Sequence, residues 1–257
     1  MAFYSQVAQD RFESSENTRG PWDPGSQHAG PPAALLGRAV EKAVEKLARP
    51  DMRVTRLTFD INRPVPITQL TVTGSVRREG RSVMVVEAAI EPYIRCTALL
   101  IRTLEQAAPQ IGAEPPPSFG DAVSKPFFSV EYGTGYHTAM EVRFTSGAFM
   151  ERGPAQAWMR ARIPLVDGEP FSPLCRVLVA ADSGNGISNV LDFREHVFII
   201  PDLTVHLSRY PVGDWVCLQA STSIEAEGIG LADTALFDQQ GRIGRGVQSL
   251  FVNPRQQ

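Results

Sequence analysis

Apolar positions early in the chain recur with the spacing of a helix. From Ala33 to Leu47 they return every three or four residues, while lysine and glutamate occupy the positions between them. Pro31 and Pro32 come immediately before, and a first helical turn tolerates proline because its N–H groups have no helical partner. The pattern predicts a helix over 33–47.

Elsewhere β-branched residues and period-two alternation predict strands. The first group of predicted strands is Val54–Ile61, Leu70–Val76 and Val83–Ile90. The apolar segment Ile94–Leu104 fits either a strand or a helix. The second group is Val130–Phe144, Ala157–Pro164, Phe198–Leu207, Trp215–Ser223, Gly230–Phe237 and Arg245–Val252.

A stretch rich in proline and glycine, Ala107–Pro126, separates the two groups and predicts an irregular connector. We place a boundary within it, which gives units 1–114 and 115–257. The second unit contains its own apolar helical segment, predicted over Pro173–Val190. Both units then follow one order of strand, helix and antiparallel strands, although the leading strand of the first is only weakly visible in Met1–Glu13.

A short similarity supports duplication of one unit. Phe59–Val65 resembles Val205–Val212, and when Arg63 is aligned with Arg209 the two predicted helices also coincide. A helix with one apolar face and a sheet with one apolar face each need a covering layer. These observations predict an α+β fold with two antiparallel sheets, each wrapped around a central helix.

Composition narrows the classes of function. The 257 residues are 43% hydrophobic and 21% charged, with a net charge of −3, which argues against a nucleic-acid-binding protein. No apolar run approaches the roughly 20 residues that span a bilayer, and Met1–Arg19 does not resemble an export signal. Cys96, Cys175 and Cys217 lack metal-binding spacing, so we expect buried, reduced thiols in a cytoplasmic protein.

Three segments resemble a known family. Trp22–Leu36, with the sequence WDPGSQHAGPPAALL, resembles the start of the first hot dog helix in the thioesterase-like superfamily, relatives of bacterial acyl-CoA thioesterase II. Asp202–Arg209 resembles the corresponding strand of the second hot dog, and the turn Asp238–Gly241 with the following Gln248 also fits. The resemblance implies a double hot dog fold, an acyl-CoA substrate, no bound cofactor and a homodimer or higher homo-oligomer.

The resemblance also implies a catalytic site. In that family an Asp, a Thr and a Gln activate a water molecule for attack on the thioester. Asp182 matches the Asp and Gln248 matches the Gln, whereas Ile200 occupies the Thr position. This departure implies either that a neighbour such as Ser183 or Asn185 replaces the hydroxyl or that activity is weak or absent.

The residue chemistry of these two positions leaves alternatives open. Asp182 lies in an otherwise apolar helical segment, where burial would raise its pKa and make it a better base. It can also simply cap or turn that helix. Gln248 can orient water through its amide, or can be an outward-facing strand residue.

A candidate substrate-binding site precedes the first helix. Free backbone N–H groups at His28, Ala29 and Gly30 can bind a thioester oxygen or a phosphate of coenzyme A, and Ser183 is a further candidate contact. The His28 side chain is a possible general acid or base, although a lone histidine in a loop is more often part of the polar surface.

Two other functions compete with hydrolysis. The first is a catalytically silent acyl-binding protein, suggested by Ile200. The second is a hot dog dehydratase, which needs a paired Asp and His in a motif that we do not find. No G-x-S-x-G nucleophile motif occurs, and the histidines are not spaced as metal ligands, so neither a serine hydrolase nor a metal site is expected. The acyl chain length is not predicted.

Overall fold

The chain is described by a computed structural model that covers residues 1–105, 107–128 and 130–255. Within these residues it forms fourteen strands, four α-helices and one short 3-10 helix, Glu16–Thr18. The α-helices are α1 (Gly30–Glu45), α2 (Tyr136–Ala139), α3 (Pro173–Ala181) and α4 (Gly184–Ile187). The strands are β1 (Tyr4–Ala8), β2 (Arg11–Ser14), β3 (Met52–Ile61), β4 (Gln69–Thr71), β5 (Thr73–Arg78), β6 (Val83–Ile90), β7 (Ile94–Arg102), β8 (Met140–Ser146), β9 (Ala155–Ala161), β10 (His196–Ile199), β11 (Asp202–Leu207), β12 (Val216–Ile224), β13 (Ile229–Asp238) and β14 (Gly241–Pro254).

Most strands belong to one large sheet with antiparallel neighbours. Its order is β5-β6-β7-β3-β11-β14-β13-β12-β9-β8, and β10 pairs with the distal part of β14. Strands β1, β2 and β4 form a separate small sheet. Strands that precede the connector lie on the β3 side of the β3–β11 pair, and strands that follow it lie on the β11 side.

The two segments that resemble each other in sequence lie side by side at the centre of the large sheet. In the β3–β11 pair, Thr58 lies opposite Thr204 and Leu57 lies opposite Val205. Helix α1 packs against β5, β6 and β7, whereas α3 packs against β9 and β12. The helices also pack against each other, so one continuous apolar core lies between them and the sheet.

The antiparallel arrangement and the existence of both helices are confirmed, but several boundaries were wrong. The helix predicted over 173–190 is interrupted, because α3 ends at Ala181 and α4 starts at Gly184. At Gly184 the backbone lies against Thr234 and Gln248, and a Cβ there would overlap the Thr234 hydroxyl. The interruption brings the end of α3 next to the strands that hold Gln248.

Other strand predictions also needed correction. The segment 198–207 forms two strands, broken near Pro201, which has no N–H to donate to a ladder. The segment 70–76 divides between the two sheets, the segment 130–144 contains α2 before β8 begins, and 94–104 is mainly strand β7. The weak strand signal in 1–13 corresponds to β1 and β2 of the small sheet. The region 107–126 is irregular, as predicted, apart from a bridge between Val123 and Phe144.

Candidate active site

A cavity of about 490 Å³ opens beside the N-terminal end of α1 and the junction between α3 and α4. Strand β10 and the loop after β3 complete its border. The cavity brings together most of the candidate residues, which come from distant parts of the chain. The predicted site residues that line it are His28, Ala29, Asp182 and Ser183.

Asp182 follows the last residue of α3 and is 5% exposed. One carboxylate oxygen, Oδ2, lies 3.1 Å from Nδ1 of His28, and Oδ1 accepts a hydrogen bond of 3.1 Å from Nε2 of Gln248. The backbone N–H groups of Ala29 and Gly30 also face the carboxylate. Burial raises the pKa of Asp182, and these donors oppose the shift because they stabilise the ionised form.

Gln248 lies on β14 with its side chain buried, and its amide orientation is fixed from both ends. Nε2 donates to the carboxylate and to the carbonyl oxygen of Asp182, the latter at 3.1 Å, while Oε1 accepts from the backbone N–H of Asn185 at 3.2 Å. The amide therefore holds the α3–α4 junction against the sheet. This geometry excludes the interpretation of Gln248 as an outward-facing, solvated residue.

His28 is not a residue of the polar surface, because only 13% of its side chain is exposed. Its ring stacks on the ring of Tyr136, with the centroids 3.7 Å apart and the planes inclined by 6°. Burial lowers the pKa of His28, and the nearby Asp182 carboxylate opposes that shift. Nδ1 lies 3.1 Å from the Asp182 carboxylate and also accepts a hydrogen bond of 3.1 Å from the Gly30 N–H, so both of these contacts of the ring use Nδ1.

The structure changes the role expected for the N–H groups before α1. The sequence suggested that the groups at Ala29 and Gly30 are free to bind a substrate oxygen, but both lie beside Asp182, and the Gly30 N–H donates a hydrogen bond of 3.1 Å to Nδ1 of His28. Gly30 allows this approach because α1 and α3 are in close contact there, and a Cβ at Gly30 would overlap the carbonyl oxygen of Val179. The positive end of the helix thus stabilises a side chain of this protein.

Ser183 and Asn185, the two residues proposed to replace the hydroxyl of the family Thr, differ in their contacts. The Tyr136 hydroxyl donates to the carbonyl oxygen of Val179 at 2.7 Å and lies 3.0 Å from the Ser183 hydroxyl, so Ser183 already has a partner. Asn185 is buried at the cavity wall, and its Oδ1 has no hydrogen-bond partner within the described part of the chain. Ile200 also lines the cavity.

Across residues 1–105, 107–128 and 130–255, no cluster of three or more His, Cys, Asp or Glu side chains is suited to a metal ion. Within the same ranges, no helix has the length and apolar composition needed to cross a membrane.

Family comparison covers almost the whole chain. Residues 18–109 match the model of the acyl-CoA thioesterase N-terminal domain, and residues 108–252 match that of the C-terminal domain. The chain belongs to the acyl-CoA thioesterase family. The shared border at 108–109 lies within the predicted connector. No curated protein sequence matches the chain.

Solved structures support the fold. A protein from Thermobifida fusca YX assigned as a thioesterase II has a TM-score of 0.74 at 16% identity, covering 97% of this chain and 95% of its own. A hot dog protein of unknown function from Alicyclobacillus acidocaldarius has a TM-score of 0.70 at 14% identity, covering 98% and 96%. The acyl-CoA thioesterase II TesB2 from Mycobacterium marinum has a TM-score of 0.64 at 14% identity, also covering 98% and 96%. At these identities the likeness shows a hot dog fold.

The sequence did not predict that Tyr136 lies at this site. Its side chain is buried, stacks on His28 and bonds to the α3–α4 junction. In the sequence, Tyr136 is marked only as an aromatic residue that follows a glycine, within the segment 130–144 that the pattern predicts as strand. Tyr136 therefore packs against one face of the His28 ring.

Proposed function

We propose that this protein hydrolyses acyl-CoA thioesters in the cavity beside His28, Asp182 and Gln248. We also infer that units 1–114 and 115–257 are two fused hot dog units, one around α1 and one around α3. The family match and the antiparallel sheet centred on β3 and β11 support this arrangement.

The contacts favour His28 as the group that removes a proton from water. The Asp182 carboxylate already faces His28, Gln248 and backbone N–H groups, so its oxygens are occupied by groups of the protein, whereas His28 adjoins it with a ring that can carry a proton. Nε2 of His28 can take the proton while the water oxygen attacks the thioester carbonyl carbon. Asp182 then stabilises the imidazolium, and Gln248 keeps the carboxylate in place. The sequence had suggested that Asp182 and Gln248 act on water directly.

Collapse of the tetrahedral intermediate completes the reaction. The carbon–sulfur bond breaks, the thiolate of coenzyme A leaves, and the imidazolium of His28 returns its proton to that sulfur. The developing oxyanion needs a donor that the protein does not already use. The Asn185 amide lies at the cavity wall with an unpaired oxygen, so its side chain is free to adopt the orientation that donates from Nδ2.

The single observation that carries the proposal is the buried His28–Asp182 contact of 3.1 Å at the border of an apolar cavity. The test is release of coenzyme A from short, medium and long acyl-CoAs, followed with a thiol reagent. Cys96, Cys175 and Cys217 are all free and buried, so the protein itself should add little signal. Absence of hydrolysis across the whole series would contradict the proposal.

The same contact favours a second candidate, dehydration of a β-hydroxyacyl thioester. The sequence shows no dehydratase motif, but the fold pairs an Asp with a His. Such a pair can remove a proton from the α-carbon and return it to the departing β-hydroxyl. Formation of the enoyl thioester from β-hydroxyacyl-CoA, without release of free thiol, would favour this candidate. Acyl-CoA binding with neither reaction would favour the silent acyl-binding protein.

A homodimer or larger homo-oligomer is part of the proposal. Strands β5 and β8 end the large sheet, and within the described ranges neither has a second strand partner, although Val123 forms a single bridge to Phe144 of β8. Open edges of this kind are commonly covered by another subunit. Sedimentation that gives only monomer at micromolar concentrations would contradict this assembly.

A further inference from the structure

Aromatic side chains make up a large part of the cavity wall. Six residues with carbocyclic or indole rings border it, and they come from separate segments of the chain. They are Trp22, Phe127, Phe128, Tyr136, Phe149 and Phe198. Tyr136 stacks on His28, so this aromatic wall continues directly from the proposed catalytic group.

The rings of the aromatic wall hold one another in place. The centroid of Phe149 lies 4.7 Å from that of Phe127 and 5.3 Å from that of Phe128. A second layer supports them, since Phe144 lies 5.0 Å from Phe149, and Phe193 lies 4.9 Å from Phe198. Most of these pairs meet edge to face or at a tilt, the arrangement that aromatic quadrupoles favour.

Trp22 extends the aromatic wall to the entrance. Its side chain is 49% exposed, and its ring lies 4.5 Å from Phe193 and 5.5 Å from Phe128. An aromatic group entering the cavity therefore meets rings from the entrance to His28. Because these rings are already packed, little side-chain freedom remains to be lost when a ligand binds.

A planar ring and a flexible alkyl chain gain different amounts of binding free energy from contact with the aromatic wall. Both bury apolar surface, but a ring also makes favourable edge and face contacts with aromatic side chains. An alkyl chain must in addition give up rotation about several bonds when it is confined. We infer that the acyl group accepted by this cavity carries an aromatic ring, an inference that rests on the proposed thioester hydrolysis.

The inference is tested with three thioesters that have the same number of acyl carbons: phenylacetyl-CoA, cyclohexylacetyl-CoA and octanoyl-CoA. We expect kcat/KM for phenylacetyl-CoA to exceed that for octanoyl-CoA by about tenfold, the effect of one or two favourable ring contacts. Cyclohexylacetyl-CoA should fall between them, because it has the ring shape without the aromatic electrons.

Variants test whether the aromatic wall causes the preference. Phe128→Leu, in a loop, should reduce the ratio of phenylacetyl-CoA to octanoyl-CoA several-fold, and Phe149→Leu should do the same. The matched control is Phe119→Leu. Phe119 lies in the same irregular region, and its ring packs at 5.3 Å from Trp158 and 5.0 Å from Trp215, away from the cavity. This control should leave the ratio unchanged.

Calorimetric binding of the same three esters to the Asp182→Asn variant separates this inference from the proposed function. Hydrolysis with equal or better use of octanoyl-CoA would overturn the aromatic preference and leave the thioesterase proposal intact. Absence of hydrolysis would overturn the thioesterase proposal, and the binding affinities would then decide the preference. Equal affinity for all three esters would overturn it.

Discussion

The two longer helices both begin beside a carboxyl group from the region of the other helix, buried in the case of Asp182 and half-buried in the case of Glu41, yet their surroundings differ. Asp182, at the end of α3, faces the first residues of α1. Glu41, on α1, lines the same cavity as Ser172, the residue that caps α3, and its Oε2 lies 3.7 Å from Sγ of Cys175. Burial raises the pKa of both carboxyl groups. A raised pKa alone therefore does not identify the catalytic end.

The difference lies in what shares the space with each carboxyl group. Glu41 borders a cavity of about 240 Å³, whose other charged groups include the Arg38–Glu169 ion pair with contacts of 2.6 Å, and a second cavity of about 620 Å³. Asp182 instead has an imidazole, an oriented amide and a cavity lined by aromatic rings. The comparison indicates that a carboxyl group beside a helix N-terminus occurs at both helices of this fold and does not by itself mark a catalytic site. Of the two carboxyl groups, Asp182 is the one that faces an imidazole in the described part of the chain.

The largest expected effect on kcat comes from replacing these two carboxyl groups, one at a time, by amides. Asp182→Asn should lower kcat by about a hundredfold or more, because the amide neither stabilises the His28 imidazolium nor fixes its tautomer. Glu41→Gln, the matched change at the other helix, should leave kcat unchanged. Steady-state hydrolysis of one acyl-CoA by both variants checks this, with thermal melting to confirm folding. Equal losses in the two variants would remove the distinction between the two ends.

The second prediction contrasts two arginines that follow the central strands. Arg209 bonds to Asp238 through two contacts of 2.5 and 2.6 Å, and the Asp238 side chain is fully buried. Arg63 is exposed at the cavity border and has no ion-pair partner among the described residues. Arg209→Ala should lower the free energy of unfolding by about 3 kcal/mol, because the buried Asp238 carboxylate loses its cation and keeps only backbone N–H donors. Urea denaturation measures this change.

Arg63→Ala is the partner experiment. Its stability should change by less than about 0.5 kcal/mol, as is usual for an exposed side chain. Its KM for acyl-CoA should rise about fivefold, because a cation at the cavity entrance is placed to meet the phosphates of coenzyme A. Equal destabilisation by the two variants, or an unchanged KM in Arg63→Ala, would show that the two arginines do not have the different roles assigned here.

The third prediction uses pH to identify the base. Because burial lowers the folded-state pKa of His28 from 6.5, the imidazole is neutral at pH 7 and becomes protonated only at lower pH. We expect kcat/KM to fall on the acid side, below pH 6.5, by about tenfold per pH unit. The unfolded state binds this proton first, so folding stability should also fall as the pH drops through 6.5 towards the folded pKa.

His28→Gln is the control for this pH dependence. The variant should have low activity without the acid limb, since the remaining rate no longer depends on an imidazole. An acid limb at the same pH in His28→Gln would assign the titration to another group, and Asp182 would become the candidate base. Profiles of kcat/KM against pH for the wild type and the variant distinguish these outcomes.

Patterns along the chain were enough to predict the two longer helices, most of the antiparallel strands and the connector, because each leaves a local period or a run of proline. They did not predict that the chain breaks between Ala181 and Gly184 or divides the segment 70–76 between two sheets. Those features depend on close backbone contacts with distant residues, such as that between Gly184 and Thr234. Local periodicity carries no information about such contacts.

The candidate site shows the same limit. Asp182, Gln248 and His28 were all identified from the sequence, but their partners were not. The expected free N–H groups at Ala29 and Gly30 face Asp182, and Tyr136 appears in the site only after the chain is folded. The pairing of Asp with His joins residues more than one hundred and fifty positions apart. A sequence motif is too short to show it.

The smallest expected effect concerns Ile200, which the resemblance places where the family has Thr. Ile200 lines the cavity and packs on the apolar cluster of Ala232, Leu250 and Val252. Ile200→Thr would add a hydroxyl that can hold the attacking water, and we expect kcat to rise a few-fold at a cost of about 1 kcal/mol in stability. Ile200→Val is the matched control, because it shortens the side chain without adding a hydroxyl. A similar gain in both variants would attribute the effect to space in the cavity, and no gain in Ile200→Thr would indicate that His28 and Asn185 already position the water.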